Sequence, residues 1–537
     1  MLKLLSLLLG FAISLPVTSL LAAERPAGGA EAARPAEKSA DTKDAAEKPT
    51  PDKPAAEADK DKGKPGEPKE KLVESKHSVT INGQKLAYTA RAGTILLRDN
   101  EEKPTAAIFF IAYTLDGVTE LAKRPLTFSF NGGPGSSSVW MHLGLLGPRR
   151  VVLHEDGSPV PPPYQLVDNE SSLLDETDLV FIDTVSTGFS RAVKPEDARK
   201  FHGVAGDLQS VGEFIRLYTT RNTRWASPKF IIGESYGTTR AAGLSGELQN
   251  RHRMNVNGIM LVSTVLNFET ISFARGNELP YILYLPSYAA TAWHHKRLAP
   301  ALQQLAVAEV VAQARTFAEK DYSTALLRGA ALTGEERKAV VKEYARLTGL
   351  SEEYVEQSDL RVSLGRFAAE LLRAEGRVIG RFDSRYKGYV RDRLSASMEH
   401  DPSGEAVFSA FTSTFNHYLR TELNFESDLP YEILTGNVQP WSWGQENSYL
   451  NVAETLAESL TRNPFLRVHV SSGYYDFATP WLATHYTFNH LAVDPALLKN
   501  ITLDDYTAGH MMYLNLPDLR KQKADLARFI RTAAPNN

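Results

Sequence analysis

Four short stretches hold residues whose types and spacing could do covalent chemistry. In KFIIGESYGTTRAAG, Lys229 to Gly243, an apolar run feeds directly into Gly233-Glu234-Ser235-Tyr236-Gly237, and a helix-permissive segment follows. This is the G-x-S-x-G pattern, in which a serine stands on a tight strand-to-helix turn and small residues two positions either side permit the bend. A serine hydroxyl becomes a useful nucleophile only when a base takes its proton and a third group orients that base. Two later stretches supply candidates in the order serine, acid, histidine: RVHVSSGYYD ends on Asp476, and ITLDDYTAGH ends on His510. Of the thirteen histidines, His510 alone joins a late post-strand position to a neighbouring glycine, Gly509. His294 and His295 fall in a helical region, and His485 and His490 read as helical residues with packing or solvent roles. Asp504 and Asp505 compete with Asp476 for the acid position, but they stand very close in sequence to His510. The fourth stretch, FSFNGGPGSSS, leaves a strand at Phe130 and enters a glycine-dense loop. Backbone N–H groups of Gly133 and of Tyr236, the residue after the serine, are then the candidate donors for a developing oxyanion. The chemistry these residues could do is acyl transfer through a serine ester.

Such residues need a rigid scaffold. PLTFSF (Pro125 to Phe130), DLVFID (Asp178 to Asp183), KFIIG and GIMLVST (Gly258 to Thr264) are short, continuous apolar runs. Helix-permissive segments separate several of them, including Asp207 to Thr219 and Thr238 to Asn250. Continuous apolar strands alternating with helices predict a mostly parallel α/β sheet covered on both faces. Before them, HSVTINGQKLAYTARAGTILL has two strand-like runs around an Asn82-Gly83 turn signal, and TAAIFFIAYTLDG adds a third. These predict antiparallel strands at the entry to the sheet. Between Phe268 and Asn424 the strand signals thin out and long helical patterns take over, with Thr333 and Glu336 spaced as a capping box. The expected organisation is a catalytic core over 76–267 and 425–534, with a helical cap inserted over 268–424.

Composition narrows the field. Sixty basic and 64 acidic residues leave the chain near neutral, with no basic stripe to suggest nucleic acid as a partner. The absence of cysteine excludes disulfides, thiolate metal sites, a cysteine nucleophile and a lipoprotein anchor. No His-Glu-x-x-His cluster supports a metallopeptidase. A short basic start at Lys3, an apolar stretch and the Ala22-Ala23 pair predict a secretory signal peptide over 1–23. Export, to a periplasm or beyond, is therefore expected, and no stable membrane partner. Residues 24–75, rich in Ala, Pro, Lys and Glu, predict a disordered spacer, since little in them could form a core.

The blocks NGGPGSSS (Asn131 to Ser138), FIDTVSTGFS (Phe181 to Ser190), GESYG, GYYD (Gly473 to Asp476) and AGHM (Ala508 to Met511) occur in an order that resembles the serine carboxypeptidases. The resemblance runs from about His77 to the C-terminus. It implies an α/β-hydrolase fold with a helical cap, a Ser235–His510–Asp476 triad, no cofactor, and a peptide with a free C-terminus as substrate. It further implies that Asn131, with Gly132, and Glu234 bind the substrate's terminal carboxylate. Two carboxyls can share a hydrogen bond only if one keeps a proton, so peptide cleavage is expected to favour mildly acidic solution. The chain departs from the pattern at several places. Ser129 and Ser136 replace the family's tryptophan and cysteine, Leu145 stands where a second carboxylate-side glutamate is expected, and Thr238-Thr239-Arg240 follows the elbow in place of a second glycine. An esterase or acyltransferase using the same triad is the alternative, and a non-catalytic partner protein on this scaffold is a third.

Overall fold

The computed structural model of the protein describes residues 68–534. The expected signal peptide, and the expected spacer up to residue 67, lie outside the described residues. Ten strands form one sheet: β1 (Leu72–Ile81), β2 (Gln84–Arg98), β3 (Pro104–Leu115), β4 (Leu126–Phe130), β5 (Asp178–Ile182), β6 (Arg191–Ala192), β7 (Lys229–Ser235), β8 (Gly258–Thr264), β9 (Arg467–Gly473) and β10 (Ile501–Tyr506). Their spatial order is β1-β2-β3-β5-β4-β7-β8-β9-β10, with β6 paired to β3. The pairs from β1 to β5 are antiparallel, and every pair from β5 through β10 is parallel.

β1 starts at Leu72, inside the range expected for the spacer. Glu74 and Lys76 on its outward face continue the charged composition of the stretch before it, which disguises the strand. Glu74 stands opposite Arg91 of β2 and pairs with it at 2.9 Å, a cross-strand contact that helps hold the edge. Just before the strand, Glu70 accepts the Leu96 N–H at 2.8 Å and pairs with Arg221.

The central strands are buried on both faces, as their continuous apolar runs require. Period-two alternation sends Phe230, Ile232, Met260 and Val262 to one layer, and Ile231, Ile259 and Leu261 to the other. Helices Val204–Arg221, Tyr236–His252 and Ala453–Arg462 cover the second layer, and Leu516–Ala533 covers the first.

Within 268–424 the helices belong to two cores. Those between Leu279 and Leu372 pack in a separate cluster that also takes in Tyr475, Phe477 and Trp481, and in it Tyr288 stacks on Phe367 at 4.0 Å. The Thr333–Glu336 capping box forms there. Helix Pro402–Thr421 instead joins the sheet's first layer through Val407, Phe411, Phe415 and Tyr418, one apolar residue per turn. The inserted segment is thus part cap and part core.

The entry ends of the central strands meet at Asp178. Its carboxylate accepts from Arg124 Nε at 3.1 Å, Arg224 Nη1 at 2.6 Å and the Leu115 N–H at 3.1 Å, all in the interior. Arg224 also donates to the carbonyls of Arg124 and Pro125. Removing one partner from such a cluster leaves buried charges uncompensated. Asp178→Ala is therefore expected to cost about 3–5 kcal/mol in denaturant-induced unfolding. Glu336→Ala, which breaks a solvent-exposed pair with Arg328 and one half of a capping box, should shift the unfolding midpoint far less, because water and salt screen the pair. A loss under about 1 kcal/mol for Asp178→Ala would show that the two guanidiniums find other partners.

Candidate active site

Ser235 ends β7 and caps helix Tyr236–His252 with φ 60° and ψ −130°. A non-glycine residue holds such a conformation only when its surroundings enforce it, and the enforcement is steric. A Cβ on Gly233 would lie 2.0 Å from the Gly237 carbonyl oxygen, so the turn closes only around a glycine. A Cβ on Gly132 would lie 2.4 Å from the Tyr236 nitrogen. The loop after β4 therefore lies directly against the N-terminal end of the helix that follows Ser235. Gly133 lines the same cavity as Ser235, and the Tyr236 N–H is at the adjoining helix end.

Asp476 is wholly buried after β9. Its Oδ1 accepts the N–H groups of Ala478 and Thr479 at 2.7 and 2.9 Å, and its Oδ2 accepts the Thr479 hydroxyl at 2.6 Å. The remaining bond of Oδ2 is to His510 Nδ1, at 2.8 Å. His510 follows β10, its own N–H donates to the Phe382 carbonyl at 2.6 Å, and its ring stacks on Phe382. Burial, the largest influence on the imidazole, works to lower its pKa. The charge and hydrogen bond of Asp476, helped by Glu234, outweigh it and hold the pKa above the usual histidine value. Asp504 and Asp505 are occupied elsewhere. Asp505 accepts from Trp481 Nε1 and contacts His485, and Asp504 lies near His469 and Arg528.

Glu234 is buried beside the serine. Asn131 Nδ2 donates to its Oε1 at 2.9 Å, while Asn131 Oδ1 accepts the Met141 N–H at 3.2 Å. Oε2 has no hydrogen-bond partner among the described residues, although the Tyr513 hydroxyl is near enough to favour the carboxylate. Burial outweighs that help, together with His510 and Asn131, and pushes the Glu234 pKa up to about 7. Ser235, His510, Glu234, Asn131, Gly132 and Gly133 all line one cavity of about 200 Å³. Apolar side chains, among them Trp140, Val407 and Phe408, form much of the rest.

The departures from the family pattern find local explanations. Leu145 is fully buried in the sheet's first layer and does not line the cavity, so among the described residues Glu234 is the only carboxyl on its wall. Ser136 accepts from Trp140 Nε1 at 2.9 Å, using its hydroxyl to fix a cavity side chain. Arg240 is buried; its Nε donates to Asp207 at 2.8 Å and its Nη1 to the Asn131 carbonyl at 2.6 Å. It bolts the helix after the serine to the loop after β4. Sequence reasoning missed this pair and also Arg381, which reaches the cavity wall from the inserted segment. Arg240 did leave a signal, as a lone charge among the small residues of TTRAAG; Arg381 left none.

Comparison with known proteins gives the family and the fold. A model of the family described as serine carboxypeptidase matches residues 84–502. The chain is similar to serine carboxypeptidase-like 36 of Arabidopsis thaliana, 29% identical over 172 residues, covering 30% of this chain and 33% of that one. It is similar to serine carboxypeptidase-like 46 of the same plant, 28% identical and covering 32% of this chain and 35% of that one. The matches thus span about a third of the length of these relatives. Among solved structures it is similar to Kex1(delta)p, a prohormone-processing carboxypeptidase from Saccharomyces cerevisiae. The TM-score is 0.53 at 18% identity, with 83% of this chain and 91% of that chain covered, a likeness of fold. The sheet is that of an α/β-hydrolase, and with the family match running over 84–502 the chain belongs to the serine carboxypeptidase family.

Proposed function

We propose that the protein is an exported serine carboxypeptidase that releases C-terminal amino acids from peptides. The observation that carries the reading is Glu234: a buried carboxyl adjacent to the serine, steadied by Asn131 on one oxygen and unpartnered on the other. A group so placed suits recognition of a second carboxyl, and a chain end is where a peptide has one. Export rests on the basic and apolar N-terminal sequence.

In this mechanism the substrate's terminal carboxylate binds at Asn131, Gly132 and protonated Glu234, which sets the last peptide bond over Ser235. His510 Nε2 takes the serine proton as Oγ attacks the carbonyl, and Asp476 steadies the imidazolium through Nδ1. The N–H groups of Gly133 and Tyr236 take the charge on the tetrahedral oxygen. His510 then protonates the leaving amine, which departs as the free amino acid. Water, deprotonated by the same imidazole, hydrolyses the acyl-serine and restores the enzyme.

Ser235→Ala should remove the nucleophile without unfolding the chain. Turnover should fall to a residual rate about 10³–10⁴-fold above the uncatalysed reaction. A serine-directed phosphonylating reagent should label Ser235 of the wild type, as read by peptide mass spectrometry. Label on another serine with activity lost would overturn the assignment.

The pH profile tests Glu234 separately. His510 must be neutral to accept a proton, and its raised pKa moves the acid limb of kcat/KM upward. Glu234 must be protonated to donate, so activity on a free-acid peptide should fall as pH rises through about 7. The two groups influence each other and titrate as a coupled pair, which narrows the optimum and draws it from mildly acidic toward neutral solution. Glu234→Gln removes a negative charge near His510, so the acid limb should shift to lower pH. An amide cannot ionise, so the alkaline fall should flatten. A C-terminally amidated substrate should show little alkaline fall with either protein. Identical profiles for all four combinations would remove Glu234 from recognition and favour ester hydrolysis.

A further inference from the structure

The inserted segment brings a second charge to the cavity that the family pattern does not call for. Among the described residues that line the cavity, Arg381 is the only lysine or arginine. Its backbone is pinned at both ends: its N–H donates to Asp401 Oδ1 at 3.0 Å, and its carbonyl accepts from Phe477 at 3.0 Å. Its guanidinium lies over the Phe382 ring at 5.4 Å, and that ring stacks in turn on His510 at 5.3 Å. The side chain is half-buried, and its guanidinium has no hydrogen-bond or ion-pair partner among the described residues. Arg385, four residues on, is by contrast fully committed, to Asp383 and to the Thr507 carbonyl. An uncommitted guanidinium on a pinned backbone at a cavity wall is a site for a planar anion, since its fork matches a carboxylate.

We infer that Arg381 binds a carboxylate of the substrate within the cavity it shares with Ser235, His510 and Glu234. This rests on the carboxypeptidase reading above and names the charge on which its recognition depends. Leu145 leaves the cavity with one carboxyl where the family pattern expects two, so an added positive charge tips its balance toward an anionic ligand. The carboxylate is either the terminal one or the side chain of a terminal Asp or Glu, and the chemistry at Arg381 is the same for both.

Binding can be read without turnover in the Ser235→Ala protein, by calorimetric titration with N-acetyl-Ala-Phe, its C-terminal amide, and N-acetyl-Ala-Glu amide. A charge-assisted pair of this kind predicts that adding Arg381→Gln weakens the carboxylate-bearing ligand by roughly 10- to 100-fold. The fully amidated neutral ligand should change by less than about threefold. Arg381→Lys should recover part of the loss. Loss confined to N-acetyl-Ala-Phe assigns the guanidinium to the terminal carboxylate, and loss confined to N-acetyl-Ala-Glu amide assigns it to an acidic side chain. Equal weakening of all three ligands, or no change in any, overturns the inference. The underlying reading fails differently: the wild type would then hydrolyse an N-acetyl amino-acid ester but leave N-acetyl-Ala-Phe intact, whatever the titrations show.

Discussion

The loop after β4 lies against the first turn of the helix after Ser235 at backbone contact distance, and the site depends on that contact. Nothing larger than hydrogen fits on Gly132, because a Cβ would meet the Tyr236 nitrogen. The contact sets the spacing between the two candidate oxyanion donors. It also brings Asn131 within reach of Glu234. Arg240 tightens it from beneath, joining Asp207 of one helix to the Asn131 carbonyl. Burial raises the Asp207 pKa, and the arginine's charge opposes that rise. The strain at Ser235 is sustained by the same crowding, so one steric constraint both bends the nucleophile and builds its surroundings.

Much of this was legible in the residues. GESYG and NGGPG announce tight turns because glycine is the residue that close backbone approach demands, and the apolar runs before them announce buried strands. The parallel sheet and its antiparallel entry could be read from the same alternation of runs and turns. Long-range side-chain pairing was not legible. Arg240 finds Asp207 across 33 residues, and Arg381 enters the cavity 146 residues after the serine; no local period records either. β1 was hidden because charged and small polar residues, Glu74, Ser75, Lys76 and Ser78, fill its middle. Its inward face becomes apolar only toward Val79 and Ile81.

The inserted segment shows why a domain boundary drawn from composition is coarse. Its helical pattern is uniform in the sequence, yet tertiary packing divides it. Tyr288 and Phe367 choose one core, whereas Phe411 and Phe415 choose the other. Helix propensity is blind to that choice, which depends on which apolar surface lies opposite.

The stretch from Arg381 to Arg385 has a mechanical consequence. It bonds to Phe477 and Tyr475 beside the acid, and to the histidine loop through Phe382 and Arg385. A cap that swung open as a hinged lid would tear out the bonds that aim the imidazole, so opening and proton transfer could not share one conformation. The insertion works as a keystone. With this stretch held in place, the cavity wall around Arg381 and Phe382 is a fixed one, and the roughly 200 Å³ it encloses bounds what can sit beside Ser235.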